Sequence, residues 1–469
     1  MFFTDFKFFF LMPVMFAIYW LIPVRMNWLK KIFLLVASYL LYMNFNPTYA
    51  LFLLAISLIT FFGAKLLSNR RIFTGGGKII AVLVLIPLLI FKYYNFINES
   101  VFSFLSLFHL RFQLPGLNWA IPVGISFFTF QALGYFLDVC HKRISVEKSI
   151  VDYLLFVSFF PQIASGPISK ASELLPQIKL LAPFSYDKAV KGCRYFLWGL
   201  FLKIVVADRA GLYVALILDH YQSFSGLNCL FASFMYSVQI YADFAGYSFM
   251  AIGVAKLLGF DLINNFNHPY FSTSVTDFWR RWHISLSRWL KDYVYIPLGG
   301  NRCSKARNYL NIMATFLVSG IWHGANWTFI LWGLFHGICQ VIEKRFGLQK
   351  SESKGLIRFV RILVTFLIVS FAWILFRSPT IADAFNIVHQ ITTLYMGFNV
   401  SMDGFEMLAY LAIALVPFVL FEILHEFYKD FYHVIMRRVV VRWCVYIALF
   451  SLIILIGVLD GSEFIYANF

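Results

Sequence analysis

YLNIMATFLVSGIWHGANWTFILWGLFHGICQVI, residues 309–342, contains no Asp, Glu, Lys or Arg. Two apolar runs, 309–322 and 325–342, meet around His323 and Gly324. A helix that spans a bilayer needs about 20 mostly apolar residues, with a range near 17–25. Further candidate runs, several of them short for a full crossing, lie at 8–24, 32–45, 49–64, 79–97, 119–138, 150–165, 192–218, 228–259, 359–377, 406–425 and 442–459. Composition agrees, with 61% of the 469 residues hydrophobic and 13% charged. Soluble domains carry about 25% charged and about 45–50% apolar residues. No soluble core of this length hides so much apolar surface, so lipid is the solvent for much of it. The expected fold is all-α: a polytopic transmembrane helical bundle of about 11–12 crossings. Some of its helices are re-entrant or partial, and one is interfacial and amphipathic. We read 1–469 as a single integral membrane domain, with N-terminal helices in 1–145, a core in 146–345 and C-terminal helices in 346–469.

The net charge of +16 in a soluble protein would point to nucleic acid. Here the cations fall in short breaks between apolar runs, the pattern of the positive-inside rule, and no nucleic-acid partner is expected. Basic breaks (Arg25 to Lys31, Lys65 to Lys78, Lys142 to Lys148, Lys344 to Arg361, Lys429 to Arg442) alternate with breaks poor in Lys and Arg. Both termini then fall outside, with 65–78, 140–148, 344–361 and 429–442 cytoplasmic. An even number of crossings must separate residues 148 and 344, yet five apolar runs lie between them. At least one does not cross fully. Irregular backbone at membrane depth is tolerated only where it is buried in protein or lines a watery cavity, so the cavity is expected in the middle of the chain. The first run lacks a positive n-region and a cleavage site and reads as a retained helix.

The six cysteines have no metal-ligand spacing and define no disulfide framework, so no metal site is expected. Thr74 to Lys78 has the wrong spacing for a phosphate loop, and the break at 165–170 implies no chemistry by itself. Residues 277–300, DFWRRWHISLSRWLKDYVYIPLGG, repeat Phe278, Trp282, Leu286, Trp289 and Tyr293 on one helical stripe, with Arg280, Arg281, Arg288 and Lys291 mostly opposite. This predicts one amphipathic helix on the membrane surface. His283 lies at the edge of that stripe, where an imidazole is more often structural than catalytic. His323 and His336 are embedded in apolar sequence, where an ionisable side chain is costly and reads either as functional or as an interhelical hydrogen bond. Gly320 and Gly324 around His323 permit close approach by a ligand or by another helix, while Gly333 and Gly337 around His336 look like packing. Asp243 calls for hydroxyl partners, with Tyr241, Tyr247 and Ser248 nearby, or for a polar cavity.

Several long motifs carry a resemblance: IWHGANWTFILWGLFHG (321–337), DFWRRWHISLSRWLKDYVYIPLGGNR (277–302), QIYADFAGYS (239–248) and FFPQIASGPI (159–168). They closely resemble the membrane-bound O-acyltransferases, in their bacterial, AlgI-like alginate O-acetylation branch, over roughly residues 90–345. The resemblance implies a helical bundle with a tunnel from the cytoplasm to an outer funnel. It places the family's signature histidine on His323 and its second polar position on His283. Trp322, Asn326, Trp327 and Asp243 become candidates for the wall of that tunnel. The implied activity is transfer of an acetyl group to hydroxyls of an extracytoplasmic polysaccharide such as alginate, at the inner membrane. Acetyl-CoA is the implied donor, no cofactor is held tightly, and a periplasmic or membrane-anchored acetyltransferase can act as partner. A covalent acetyl intermediate stays open. Peptidoglycan O-acetylation and D-alanyl transfer to teichoic acid are alternatives within acyl transfer; a transporter or flippase, or an assembly scaffold, are alternatives outside it. In the acyl-transfer reading His323 is the general base, since an imidazole with a pKa near 6.5 suits neutral pH. His283 orients or polarises the reacting groups, or holds the thioester.

Overall fold

Helices are the only regular structure among the described residues of the computed structural model, which are 3–68, 75–110, 113–164, 166–350, 353–393, 402–459 and 465. Backbone in hydrocarbon must satisfy each N–H and C=O internally, and a helix does so within one segment. Among the described residues, five helices are long and apolar enough to cross a bilayer: Pro47–Leu67, Gly75–Ser106, Gly355–Arg377, Gly404–Phe427 and Val439–Ile456. A sixth candidate is the pair Phe6–Leu21 and Val24–Met43, bent by 102° at its break. The bend falls at Pro23, and Ile22 before it is extended, as a following proline ring favours. The expected eleven or twelve crossings exceed the helices that qualify on length and hydropathy, because the others are shorter or more polar. Residues 69–74 of the segment expected to be cytoplasmic, 65–78, and the C-terminal acids Asp460 and Glu463 lie outside the described residues.

The chain forms two compact units. One comprises the described residues of Met1–Cys193 with Ala251–Ile263, the other Arg194–Met250 with Asn264–Ile465. The first holds α1 (Phe6–Leu21), α2 (Asn27–Met43), α3 (Pro47–Leu67), α4 (Gly75–Ser106), α5 (Ile125–Cys140), α6 (Ile150–Ser158), α7 (Phe160–Ile163) and α8 (Ala171–Lys179). The run expected at 119–138 becomes helical only at Ile125, after Gly124 with φ +75. A Cβ at Gly124 would collide with the carbonyl oxygen of Ile163, so glycine is required twice over. The run at 150–165 breaks at Phe159 into α6 and α7. At 1.5 Å per residue neither α5 nor α6 reaches through a core about 30 Å thick, and of the two it is α6, in the run at 150–165, that lies in the interval where charge parity calls for a partial crossing. Lys31 on α2 is held by Asp152 on α6, Nζ to Oδ1 2.9 Å.

The chain enters the second unit within α9 (Tyr186–Leu200) and passes a π-helical stretch at Phe201–Ala207 into α10 (Asp208–Leu218). Then come α11 (Gly226–Leu257), α12 (Val275–Arg281), α13 (Ile284–Leu290), α14 (Lys305–His323), α15 (Trp327–Phe346), α16 (Gly355–Arg377), α17 (Ile381–Thr392), α18 (Met402–Phe427), α19 (Lys429–Arg437) and α20 (Val439–Ile456). Two boundaries between the units fall inside helices, α9 and α11, and a third, after Ile263, falls in the loop that follows α11.

The single amphipathic helix predicted over 277–300 is two helices. Its stripe is buried as predicted at Phe278, Trp282, Leu286 and Trp289. The backbone, however, breaks at Trp282 and His283, where His283 takes a left-handed conformation with φ +44. Asn265 holds the break: its carbonyl accepts from Ile284 N at 3.0 Å and its Oδ1 from Ser285 N at 3.1 Å. Glu343 caps the other end by accepting from the backbone N–H groups of Val275 and Thr276.

Helices α14 and α15, joined by three residues, pack backbone against backbone. A Cβ on Gly320 would collide with the carbonyl oxygen of Phe329, and one on Gly324 with the Phe329 ring. Of the two readings of these glycines, helix approach is the one they serve.

Candidate active site

His323 is the last residue of α14, and its imidazole is 1% exposed. Trp322, Trp332 and Phe376 surround it, with ring centroids at 5.0, 4.9 and 5.3 Å, all close to edge-on. His283 is 0% exposed, which corrects its placement at the rim of a surface helix. The left-handed turn swings it inward, against Phe244 at 4.6 Å and Trp322 at 5.8 Å. Burial pushes the His283 imidazole down to about 3, so the ring is neutral at physiological pH. The structure thus brings together His283, Trp322 and His323, with one indole between two imidazoles.

The other candidates lie differently. Asn326 is the N-cap of α15: its Oδ1 accepts from Thr328 N at 3.0 Å, and its amide donates to the Pro379 carbonyl at 2.7 Å. That capping role accounts for both ends of its side chain. Trp327 follows it and is 52% exposed. Asp243 is buried, but its partner is not a hydroxyl. Lys203, from the π-helical stretch, reaches it at 2.7 Å and Asp208 at 2.8 Å, all three side chains nearly inaccessible. Backbone N–H of Ile465 also donates to Asp243 Oδ2, at 2.8 Å. Tyr241, expected beside Asp243, donates instead to Glu422 at 3.0 Å. Lysine and aspartate sharing one apolar environment is a signal present in the sequence, since buried charges persist only when paired.

Two further residues belong to the site. His336, expected to pack, lies against Trp332 at 5.0 Å and accepts from the Trp279 indole at its Nδ1, 3.3 Å. Phe376 comes from α16 and has no motif to mark it. Among the described residues no group of three His, Cys, Asp or Glu side chains could hold a metal ion.

Apolar helices of spanning length, with imidazoles buried among indoles in the same chain, define an integral membrane protein built to handle polar groups away from water. Residues 83–378 match the membrane-bound O-acyltransferase family, and the chain belongs to it. It is an acyltransferase and a multi-pass membrane protein. The probable alginate O-acetylase AlgI of Azotobacter vinelandii is 35% identical, over 81% of this chain and 75% of its own length. The peptidoglycan O-acetyltransferase of Helicobacter pylori is 34% identical, over 78% of this chain and 74% of its own. The teichoic acid D-alanyltransferase of Streptococcus thermophilus is 29% identical, over 63% and 74%.

Proposed function

We propose that this chain transfers an acetyl group from cytoplasmic acetyl-CoA to hydroxyls of an extracytoplasmic polysaccharide of the alginate type, in the bacterial inner membrane. The observation that carries the reading is the buried array His283–Trp322–His323 in a chain whose relatives are named for O-acetylating alginate and peptidoglycan. His323 takes the proton of the acceptor hydroxyl as its oxygen bonds to the thioester carbonyl carbon. Collapse of the tetrahedral species breaks the C–S bond, and the imidazolium returns the proton to the departing thiolate. General-base help of this kind is worth about 10²–10⁴-fold. His283, neutral and fixed, orients the reacting groups. The coenzyme is a substrate rather than a tightly held cofactor, and a periplasmic or membrane-anchored acetyltransferase is the natural recipient where the polymer does not reach the site itself.

The test is the acetyl content of cell-surface polysaccharide, measured by mass spectrometry with the wild-type chain and with His323→Ala. The variant is expected to lose acetylation while remaining inserted and folded. Near-normal acetylation per folded molecule removes His323 from the chemistry. Acetyl groups lost from peptidoglycan instead would move the acceptor to the cell wall, the reading supported by the Helicobacter relative.

A further inference from the structure

One face of α15 carries Thr328, Trp332 and His336, four residues apart and so stacked turn upon turn. All three are buried. On each, one polar atom has no hydrogen-bond partner among the described residues: Thr328 Oγ1, Trp332 Nε1 and His336 Nε2. Ser319 Oγ on α14, one turn before His323, is in the same condition. A buried polar group without a partner costs about 1–3 kcal/mol. Four of them on two packed helices that carry His323 and His336 call for a bound group to meet them.

The tautomer of His336 says which kind of group. An indole N–H can only donate, so the Trp279 bond makes Nδ1 of His336 the acceptor and leaves the ring proton on Nε2. The unmet atom is therefore an N–H donor, as is the unmet Trp332 indole beside it. Both imidazoles contact the same Trp332 ring, His336 at 5.0 Å and His323 at 4.9 Å. With its lone pair engaged by Trp279, His336 is unsuited to act as a base. It is suited to donate to an oxygen that gains negative charge.

We propose that His336 is a further catalytic residue of the transfer reaction, its Nε2–H donating, with the Trp332 indole, to the acyl carbonyl oxygen. The inference rests on the acyl-transfer function proposed above. When the hydroxyl oxygen bonds to the thioester carbon, the carbonyl π pair moves onto oxygen and the two N–H groups meet the oxyanion. When the C–S bond breaks, that pair returns to re-form the carbonyl and the thiolate leaves. Donors already oriented in a water-poor site need no reorganisation, and removing one such donor costs about 10²–10³ in kcat.

Asparagine and glutamine separate the two ends of the imidazole. His336→Asn keeps an acceptor near Nδ1 and loses the donor at Nε2, whereas His336→Gln places an amide N–H near Nε2. Purified full-length protein in proteoliposomes, with acetyl-CoA and an alginate oligosaccharide as probes, gives kcat and KM for each. The expected result is a roughly 100-fold fall in kcat for His336→Asn, with the KM for acetyl-CoA and the melting temperature unchanged. His336→Gln should stay within about tenfold of wild type. Trp332→Phe, which removes only an N–H and part of a ring, should lower kcat as well. An active Asn variant, or losses that follow the folded fraction alone, would return His336 to packing and overturn the proposal. Loss of activity in His323→Ala with both His336 variants active would leave the function standing and remove His336 from it. A wild-type chain that passes no acetyl group to the oligosaccharide, and consumes no acetyl-CoA when a periplasmic acetyltransferase is supplied as recipient, would defeat the function itself, and His336 with it.

Discussion

His283 ties folding to pH. Its folded pKa is lowered to about 3 by burial, while an unfolded histidine titrates near 6.5. Between those values the unfolded chain binds a proton that the folded chain refuses, so stability falls as pH drops below about 6.5 and is fully present above it. Urea denaturation of detergent-solubilised protein at pH 7.5 and pH 5 should show this slope, and His283→Gln should flatten it. Equal slopes in the two proteins would mean that other groups set the acid sensitivity. At this scale the sequence was informative where a residue type is costly in apolar surroundings: His323, His336 and Asp243 stood out for that reason, whereas His283 entered through the resemblance. What it withheld were partners. Nothing local ties Asp243 to Lys203, and the tautomer of His336 depends on a tryptophan 57 residues upstream. Asn326 and Trp327 were drawn into the candidate site by nearness to His323 in the chain, where the requirements of the α15 N-terminus explain Asn326 without chemistry.

The contact between α14 and α15 decides how rigidly the imidazoles are held. Gly320 lies where the two backbones touch, and a methyl group there meets a carbonyl oxygen rather than a side chain that could swing away. Gly320→Ala is expected to destabilise by about 1–3 kcal/mol, the usual cost of overpacking, seen as a lower melting temperature in detergent. Gly75→Ala is the matched control: among the described residues nothing lies within 4 Å of that Cβ, so alanine should be neutral or slightly stabilising. A Gly320→Ala protein that melts with wild type would show that the helices separate freely. Helix existence was legible here because long apolar runs leave few alternatives in lipid. The break at His283 was not, since a stripe with spacings of three and four continues across it undisturbed. What bends the chain there is Asn265, a residue of a loop whose sequence gives no sign of its target.

The orientation of the whole chain rests on its cations, and the structure changes the weight of some of them. In the break at 25–31, Lys30 is buried over the rings of Tyr19 and Trp20, at 5.1 and 4.8 Å, and Lys31 is paired with Asp152. Neither behaves as a solvated loop charge, and both lie within α2 rather than between helices. The 102° bend between α1 and α2 adds that the pair can count as one broken crossing instead of two. The N-terminus outside is thus the weaker half of the topology, whereas Lys65 and Lys78, and Arg437, Arg438 and Arg442, keep their force under the positive-inside rule. Cysteine labelling separates these claims once the exposed Cys193 and Cys444 have been replaced. Gly76→Cys and Asp430→Cys should both react only when reagent reaches the cytoplasmic face. Outside labelling at either would overturn the assignment of 65–78 or 429–442. Asp5→Cys then counts the crossings of the bent pair, given a cytoplasmic Gly76 and one crossing by α3. Labelling from outside means that α1 and α2 cross twice, and labelling from inside means that they cross once. The outside result preserves the N-terminal side read from sequence, and the inside result reverses it while leaving every cytoplasmic loop downstream in place.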